Sequence, residues 1–216
     1  MVTIDQFYAK VTKVWEKGKV NDPEDAGGAT NDGVATHFIT DFANNPRGAD
    51  FLRSIGIEPR FIMGFLNAKA KEKTRIFDPN LLMTFSPDQC RLILIEAFWN
   101  WNNLGNLPCP ISACTAYDFC VNSGSARGLR SLQTAANALI QDQIPLVEDG
   151  ILGPKSYERL GAFANFQGDY TLATVILDIR ERFLRGLSNF PRFGNGWINR
   201  VNAIRVFLKE IANGRT

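Results

Sequence analysis

Apolar residues near the start of the chain, Ile4, Phe7, Tyr8, Val11, Val14 and Trp15, recur at three- and four-residue spacing, which predicts a helix burying one stripe. Thr3 with Gln6 three residues on reads as a capping box that starts it, and Gly18 as its stop. The pattern then gives way to a polar stretch from Glu16 to Gly33. Its turn formers, Asn21-Asp22-Pro23, Gly27-Gly28 and Asp32-Gly33, are too dense for another helix and predict a short irregular hairpin. Beyond Gly33 the chain reads as helices: one begins over Thr36 to Phe42, and Asn44 to Ile57 is broken into short pieces by Pro46, Gly48 and Gly56. Phe61 to Lys71 comes next as a mixed apolar and basic stretch. Ser86-Pro87-Asp88-Gln89 is a second clean helix start, opening an element that is apolar on most sides to about Trp101 and so predicted to be central and buried. After a break at Pro108 and Pro110, Ile111 to Val121 is again apolar. Two long helices close the chain. Tyr170 to Leu187 places Leu172, Val175, Ile176, Ile179, Phe183 and Leu187 on one face and Arg180 among the charged residues of the others, and Trp197 to Ile211 does likewise with Val201, Ile204, Phe207, Leu208 and Ile211.

The predicted helix end fixes where Glu16 stands. Unsatisfied carbonyls in a last helical turn disfavour an ionised carboxylate, and a carboxyl that keeps its proton is what a general acid requires. The hairpin would bring Asp22, Asp25 and Thr30 toward it. Glu16, Gly18, Asn21-Asp22-Pro23, Asp25, Gly27-Gly28-Ala29-Thr30 and Gly33-Val34 resemble the E-G-G-x-x-N-D-P-x-D-x-G-G-x-T-x-x-G-[IV] signature of glycoside hydrolase family 108, the N-acetylmuramidase endolysins. The order Glu16, Asp25, Thr30 is also similar to the Glu, Asp, Thr series of phage-type lysozymes. Lys17 and Lys19 depart from the pattern, standing where the family has a glycine and an aromatic.

A second block carries a related resemblance. Asp118-Phe119-Cys120-Val121-Asn122-Ser123-Gly124, then Arg127, Leu132-Gln133 and Asp149-Gly150-Ile151-Leu152-Gly153-Pro154-Lys155, is similar to the predicted peptidoglycan-binding domain that comes after the family motif, and Gly196-Trp197-Ile198-Asn199-Arg200 resembles its closing G-W-x-x-R. The resemblance implies a mainly α, lysozyme-like fold with one small irregular β-hairpin. The expected organisation is a catalytic lobe over 1–107 with an insertion at about 43–80 that walls one side of a cleft, and a helical lobe over 108–216 packed on it. It also implies Glu16 as catalytic acid, with Asp25 and Thr30 holding a water on the opposite face of the sugar. Asp22 is the alternative second carboxylate and otherwise a candidate substrate-binding residue. Trp99, which can stack on a sugar ring or pack in the core, and Asp118, Asn122 and Gln133 are candidate substrate-binding residues; for Asp118 and Asn122, one helical turn apart, bonding to neighbouring backbone is the competing reading. Arg200 is a candidate for being tied into the fold by a carboxylate.

Composition narrows the classes. With 216 residues and 45% apolar content the chain can bury a sizeable core, and 21% charged residues excludes a disordered chain. A net charge of +2 suits an anionic wall polymer and argues against a dedicated nucleic-acid binder. The cluster Lys69, Lys71, Lys73, Arg75 is either a solvated face or a contact for an anionic partner. No apolar run approaches the ~20 residues that span a bilayer, and MVTIDQFYAK lacks the features of a secretory leader, so a cytosolic chain that reaches the wall after release is expected. Cys90, Cys109, Cys114 and Cys120 read as buried free thiols. No C-x-x-C pair appears and His37 is the only histidine, so neither metal nor cofactor is expected and a metal-dependent amidase is disfavoured. The expected partner is the peptidoglycan glycan strand, met by a monomer. The rivals are a chitinase-type glycosidase and a non-catalytic wall-binding protein.

Overall fold

The computed structural model describes residues 2–16, 18–20, 28–67, 69–141 and 144–214. In chain order, α1 (Ile4–Phe7) runs into a wide turn over Tyr8–Thr12 and a last turn, Lys13–Trp15. Three short strands come next, β1 (Lys19–Val20), β2 (Thr30–Asn31) and β3 (Val34–Ala35), then α2 (Thr36–Asn44) and α3 (Pro46–Ser54). After them stand β4 (Phe61–Gly64), β5 (Thr74–Phe77), α4 (Pro79–Leu82) and α5 (Pro87–Ile95), which continues through a wide turn at Glu96–Asn100. The remainder is mostly helical: α6 (Pro110–Ser123), α7 (Ser125–Leu139), α8 (Pro154–Gly161), α9 (Phe166–Arg185) and α10 (Phe190–Ala212). The fold is mainly α, as expected, with a second small sheet in addition to the expected hairpin.

The chain divides into two compact units, Met1–Trp15 with Phe98–Thr216, and Glu16–Ala97. The cuts fall at 15/16 and 97/98, so the amino-terminal helix groups with the carboxy-terminal helices.

The first unit is built on α6, whose residues Ile111 to Cys120 are all buried. Phe7 and Val11 of the amino-terminal helix join Ile111, Cys114, Ala173, Leu177, Val201, Ile204 and Phe207 in one core, with the Phe7 and Phe207 rings edge to face at 5.6 Å. α6 has no side-chain cap of its own; Asp169 of α9 supplies one, accepting from the backbone N–H groups of Ile111 and Ser112 at 2.8 Å each. Two predicted stripes need correction. Val14 and Trp15 are 49% and 36% exposed, because the wide turn at Tyr8–Thr12 rotates the last helical turn off the stripe that Phe7 and Val11 bury. In α9 the buried line is Leu172, Ile176, Arg180 and Leu184, so Arg180 lies in the core, 1% exposed, and not on a charged face.

The second unit holds two antiparallel sheets. β1 pairs with β2 and β2 with β3, with Lys19 opposite Asn31 and Asn31 opposite Val34. β4 and β5 form a separate hairpin with Phe61 opposite Phe77 and Met63 opposite Arg75, in a region whose mixed apolar and basic pattern predicts no strand. Its inner end packs through Phe77, which is fully buried and meets the Phe85 ring at 5.8 Å. Ser86 and Gln89 form the predicted capping box on α5, and Asp78, buried, caps α4 while accepting from Arg60 Nε at 2.7 Å. All four cysteines are buried and free.

Candidate active site

Glu16 stands directly after the last turn of the amino-terminal helix and is partly buried. The chain reverses at Gly18, whose φ of +91° is open to glycine and strained for other residues. Asp32 holds this reversal against the small sheet: its Oδ1 accepts from Gly18 N–H at 2.6 Å, and its own N–H donates to the Gly18 carbonyl at 3.0 Å. β2 and β3 are joined by Asp32-Gly33 alone, with φ of +42° and +83°. Two positive φ values in a two-residue connection define a type I′ hairpin, for which Asp-Gly is a favoured pair.

Gly33 is where the acid meets the sheet. A β-carbon at this position would lie 2.9 Å from Glu16 Cβ, 3.1 Å from Cγ and 3.0 Å from Oε2. The Glu16 side chain thus lies along the glycine, and the absent β-carbon makes room for it. Asn31, fully buried, fixes the other side of β2 by donating from Nδ2 to the carbonyls of Leu82 and Phe85 at 2.9 and 3.1 Å. Successive strand residues point to opposite faces, so with Asn31 turned inward Thr30 is turned outward. Its Oγ1 donates to the Gly28 carbonyl at 3.4 Å. Ala29 is tied to the start of α2 by both the N–H and the hydroxyl of Thr36, each at 2.9 Å. Gly28, at φ +78°, faces the Leu66 carbonyl so closely that a β-carbon there would come within 2.3 Å of it. In the same unit, burial together with the Asp32 carboxylate pushes the Cys90 thiol up to about 12, against a smaller downward pull from Lys19.

The other candidates fall differently. Asp22 and Asp25 lie outside the described residues. Trp99 is half-buried against the core of the first unit, its ring 6.1 Å from Tyr117 edge to face, which makes it a packing residue there. Asn122 is at the end of α6, its Oδ1 accepting from the Ser123 hydroxyl at 3.3 Å. Asp118 is closed to substrate. It is fully buried, and its carboxylate accepts from Thr12 Oγ1 at 3.1 Å, Arg180 Nη1 at 2.7 Å, and Arg200 Nε and Nη2 at 2.9 and 2.8 Å. Burial alone would raise this carboxyl, but the Arg200 and Arg180 guanidiniums outweigh it and hold it well below the usual carboxylate range. Arg200 is tied into the fold by a carboxylate as anticipated, and that carboxylate is Asp118. Gln133 lines a cavity of about 1120 Å³ beside α8, but its amide is committed. Nε2 donates to Asp149 Oδ1 and the Ile151 carbonyl at 2.9 and 3.0 Å, and Oε1 accepts from Gly150 N–H at 2.8 Å. It staples the 149–151 loop instead of presenting a free group. The residue that sequence reasoning undervalued is Asp32, read as a turn former only, although the Asp-Gly pair carried the hairpin type.

The fold is mainly helical, as expected for a lysozyme-like fold, and Glu16 lies against the Asp32-Gly33 turn of a small antiparallel sheet. Residues 9–124 match the model of glycosyl hydrolase 108, and the chain belongs to that family; it is a glycoside hydrolase of the peptidoglycan-degrading kind. Among solved structures it is similar to that of Brucella abortus SagA, at 24% identity over 95% of each chain with a TM-score of 0.62, a likeness of fold. No curated protein matches the chain.

Proposed function

We propose that the enzyme is an N-acetylmuramidase that cleaves the β-1,4 bond between N-acetylmuramic acid and N-acetylglucosamine. Glu16 protonates the leaving oxygen, and Asp25 with Thr30 holds the attacking water on the opposite face of the sugar. The observation that carries this reading is the seating of the Glu16 carboxylate on Gly33 in a turn locked by Asp32, within a chain of the family. A general acid must keep one position through protonation and release, and a tight I′ turn bonded to the Gly18 reversal supplies that rigidity. Inversion by a single displacement requires a carboxylate separation of roughly 6.5–9.5 Å, and the anomer of the product reports it.

The test is mass spectrometry and NMR of products from purified peptidoglycan. Muropeptides with reducing-end N-acetylmuramic acid, released first as the α-anomer, are expected. Reducing-end N-acetylglucosamine, free stem peptides, or turnover of chitin but not peptidoglycan would overturn the assignment.

A further inference from the structure

The β4–β5 hairpin carries a surface that the fold does not use. Met63 and Phe65, two residues apart and so on one face, are 64% and 52% exposed, while Ile62, 39% exposed, turns to the other face. Single exposed apolar side chains are ordinary, but a contiguous set marks a contact surface. The opposite strand and the connecting loop set cations beside it. Lys73 lies over the Phe65 ring at 5.7 Å and the Arg75 guanidinium over the Phe61 ring at 3.5 Å, so ring and cation alternate on the projecting end.

These cations differ from the arginines elsewhere in their unit. Arg47, Arg53, Arg60 and Arg91 are each ion-paired, with Glu96, Asp50 and Glu58, Asp78, and Asp88. Arg75 bonds the neutral Asn44 side chain instead, and among the described residues Lys71 and Lys73 have no carboxylate at ion-pair distance. Glu72 is the one acidic residue between 61 and 77. Positive charge on this hairpin is therefore left without a facing carboxylate among the described residues. The hairpin adjoins the acid's own loop, since the Leu66 carbonyl packs directly on Gly28, two residues before Thr30.

We infer that the β4–β5 hairpin is a substrate-docking edge, on which Lys71, Lys73 and Arg75 take the carboxylates of a peptide-substituted glycan while Met63 and Phe65 cover its apolar faces. This rests on the muramidase reading for the nature of the glycan. The rings suit the apolar faces of sugars, the cations suit the acidic groups that distinguish a muramic-acid polymer from neutral chitin, and the contact with Gly28 puts both beside the reacting segment.

The test compares the full chain with its Lys71→Gln/Lys73→Gln/Arg75→Gln variant, each also carrying Glu16→Gln for cosedimentation with intact sacculi. All three side chains are exposed, so the melting temperature should fall by no more than about 2–4 °C, from the lost Arg75 contacts with Phe61 and Asn44. Retention is expected to fall about tenfold, the sum of three exposed charge contacts; in the pair that keeps Glu16, apparent KM rises in parallel and kcat is unchanged. Sacculi whose carboxylates have been amidated should retain the two proteins equally. Equal retention on native sacculi, a loss of kcat at constant KM, or charge-dependent binding to phosphatidylglycerol vesicles without any effect on sacculi would each overturn the inference. Hairpin-dependent retention by a wild type that leaves sacculi intact would support the docking edge while removing the proposed reaction.

Discussion

Replacing Gly33 by alanine probes the fold and the acid together. The backbone there has φ of +83°, and holding an alanine in that region costs roughly 1–2 kcal/mol. The added carbon would sit 2.9–3.1 Å from three Glu16 atoms, closer than carbons normally approach, so Glu16 or the turn must yield by several tenths of an ångström. Because the turn is tied to the Gly18 reversal by Asp32, with bonds of 2.6 and 3.0 Å, the adjustment falls on Glu16; its Cγ and carboxylate can rotate away, but its Cβ moves only with its own backbone, so the whole residue should shift. Misplacing a catalytic group by about 1 Å can lower a rate on the order of a hundredfold. Gly33→Ala is therefore expected to lose about 2 kcal/mol of stability in urea unfolding and, at temperatures where it is still fully folded, to solubilise sacculi about ten times more slowly, as befits a shift of roughly half an ångström. Gly18→Ala is the control, because it carries the same positive-φ strain but a β-carbon there meets nothing within 4 Å. If Gly33→Ala retained the activity of Gly18→Ala, the seating of the acid on the glycine would be refuted.

The buried charges and thiols carry further consequences. Asp118→Asn should destabilise the protein by about 3–5 kcal/mol in urea titrations, since it leaves the Arg180 and Arg200 cations buried without their counter-charge; a loss under about 1 kcal/mol would contradict that. The Asp118 carboxyl is lower in the folded state than in the unfolded chain, so its contribution is fully present above about pH 4 and is lost as pH falls toward the folded value. Acid unfolding should begin below about pH 4, and the Asn variant should lose that component of the slope. Burial pushes the thiols of Cys90, Cys109 and Cys120 up to about 12 and that of Cys114 higher still, so a thiol-specific chromogenic reagent should label none of the four before unfolding; rapid labelling of native protein would contradict their placement.

The features legible in the chain alone were local. The capping pairs Thr3 with Gln6 and Ser86 with Gln89 form because both partners lie within one helical turn, and both appear as predicted. The Glu16 motif was legible because its glycines and turn formers hold fixed offsets over a short stretch. Distance in sequence hid the rest. Asp118 meets Arg180 and Arg200, 62 and 82 residues away, and until those partners are known a buried triad cannot be told from a polar group lining a cleft. The line Leu172, Ile176, Arg180, Leu184 has regular four-residue spacing, but a charged side chain within it argues for a solvated face unless a counter-charge is in view. β4 was obscured because Phe61, Ile62, Met63 and Phe65 form a nearly continuous apolar run, without the alternation that marks a half-buried strand.

The central claim is that Glu16 is the proton donor of a glycosidase. The most direct measurement is the initial rate of sacculus solubilisation by wild type and by Glu16→Gln, with equal circular dichroism and equal sedimentation onto sacculi verified for both. A glutamine keeps the shape but has no proton to deliver, so the rate should fall by at least about a hundredfold, the usual scale of general acid catalysis, with binding unchanged. A folded Glu16→Gln protein that solubilises sacculi within a few-fold of the wild-type rate would contradict the account.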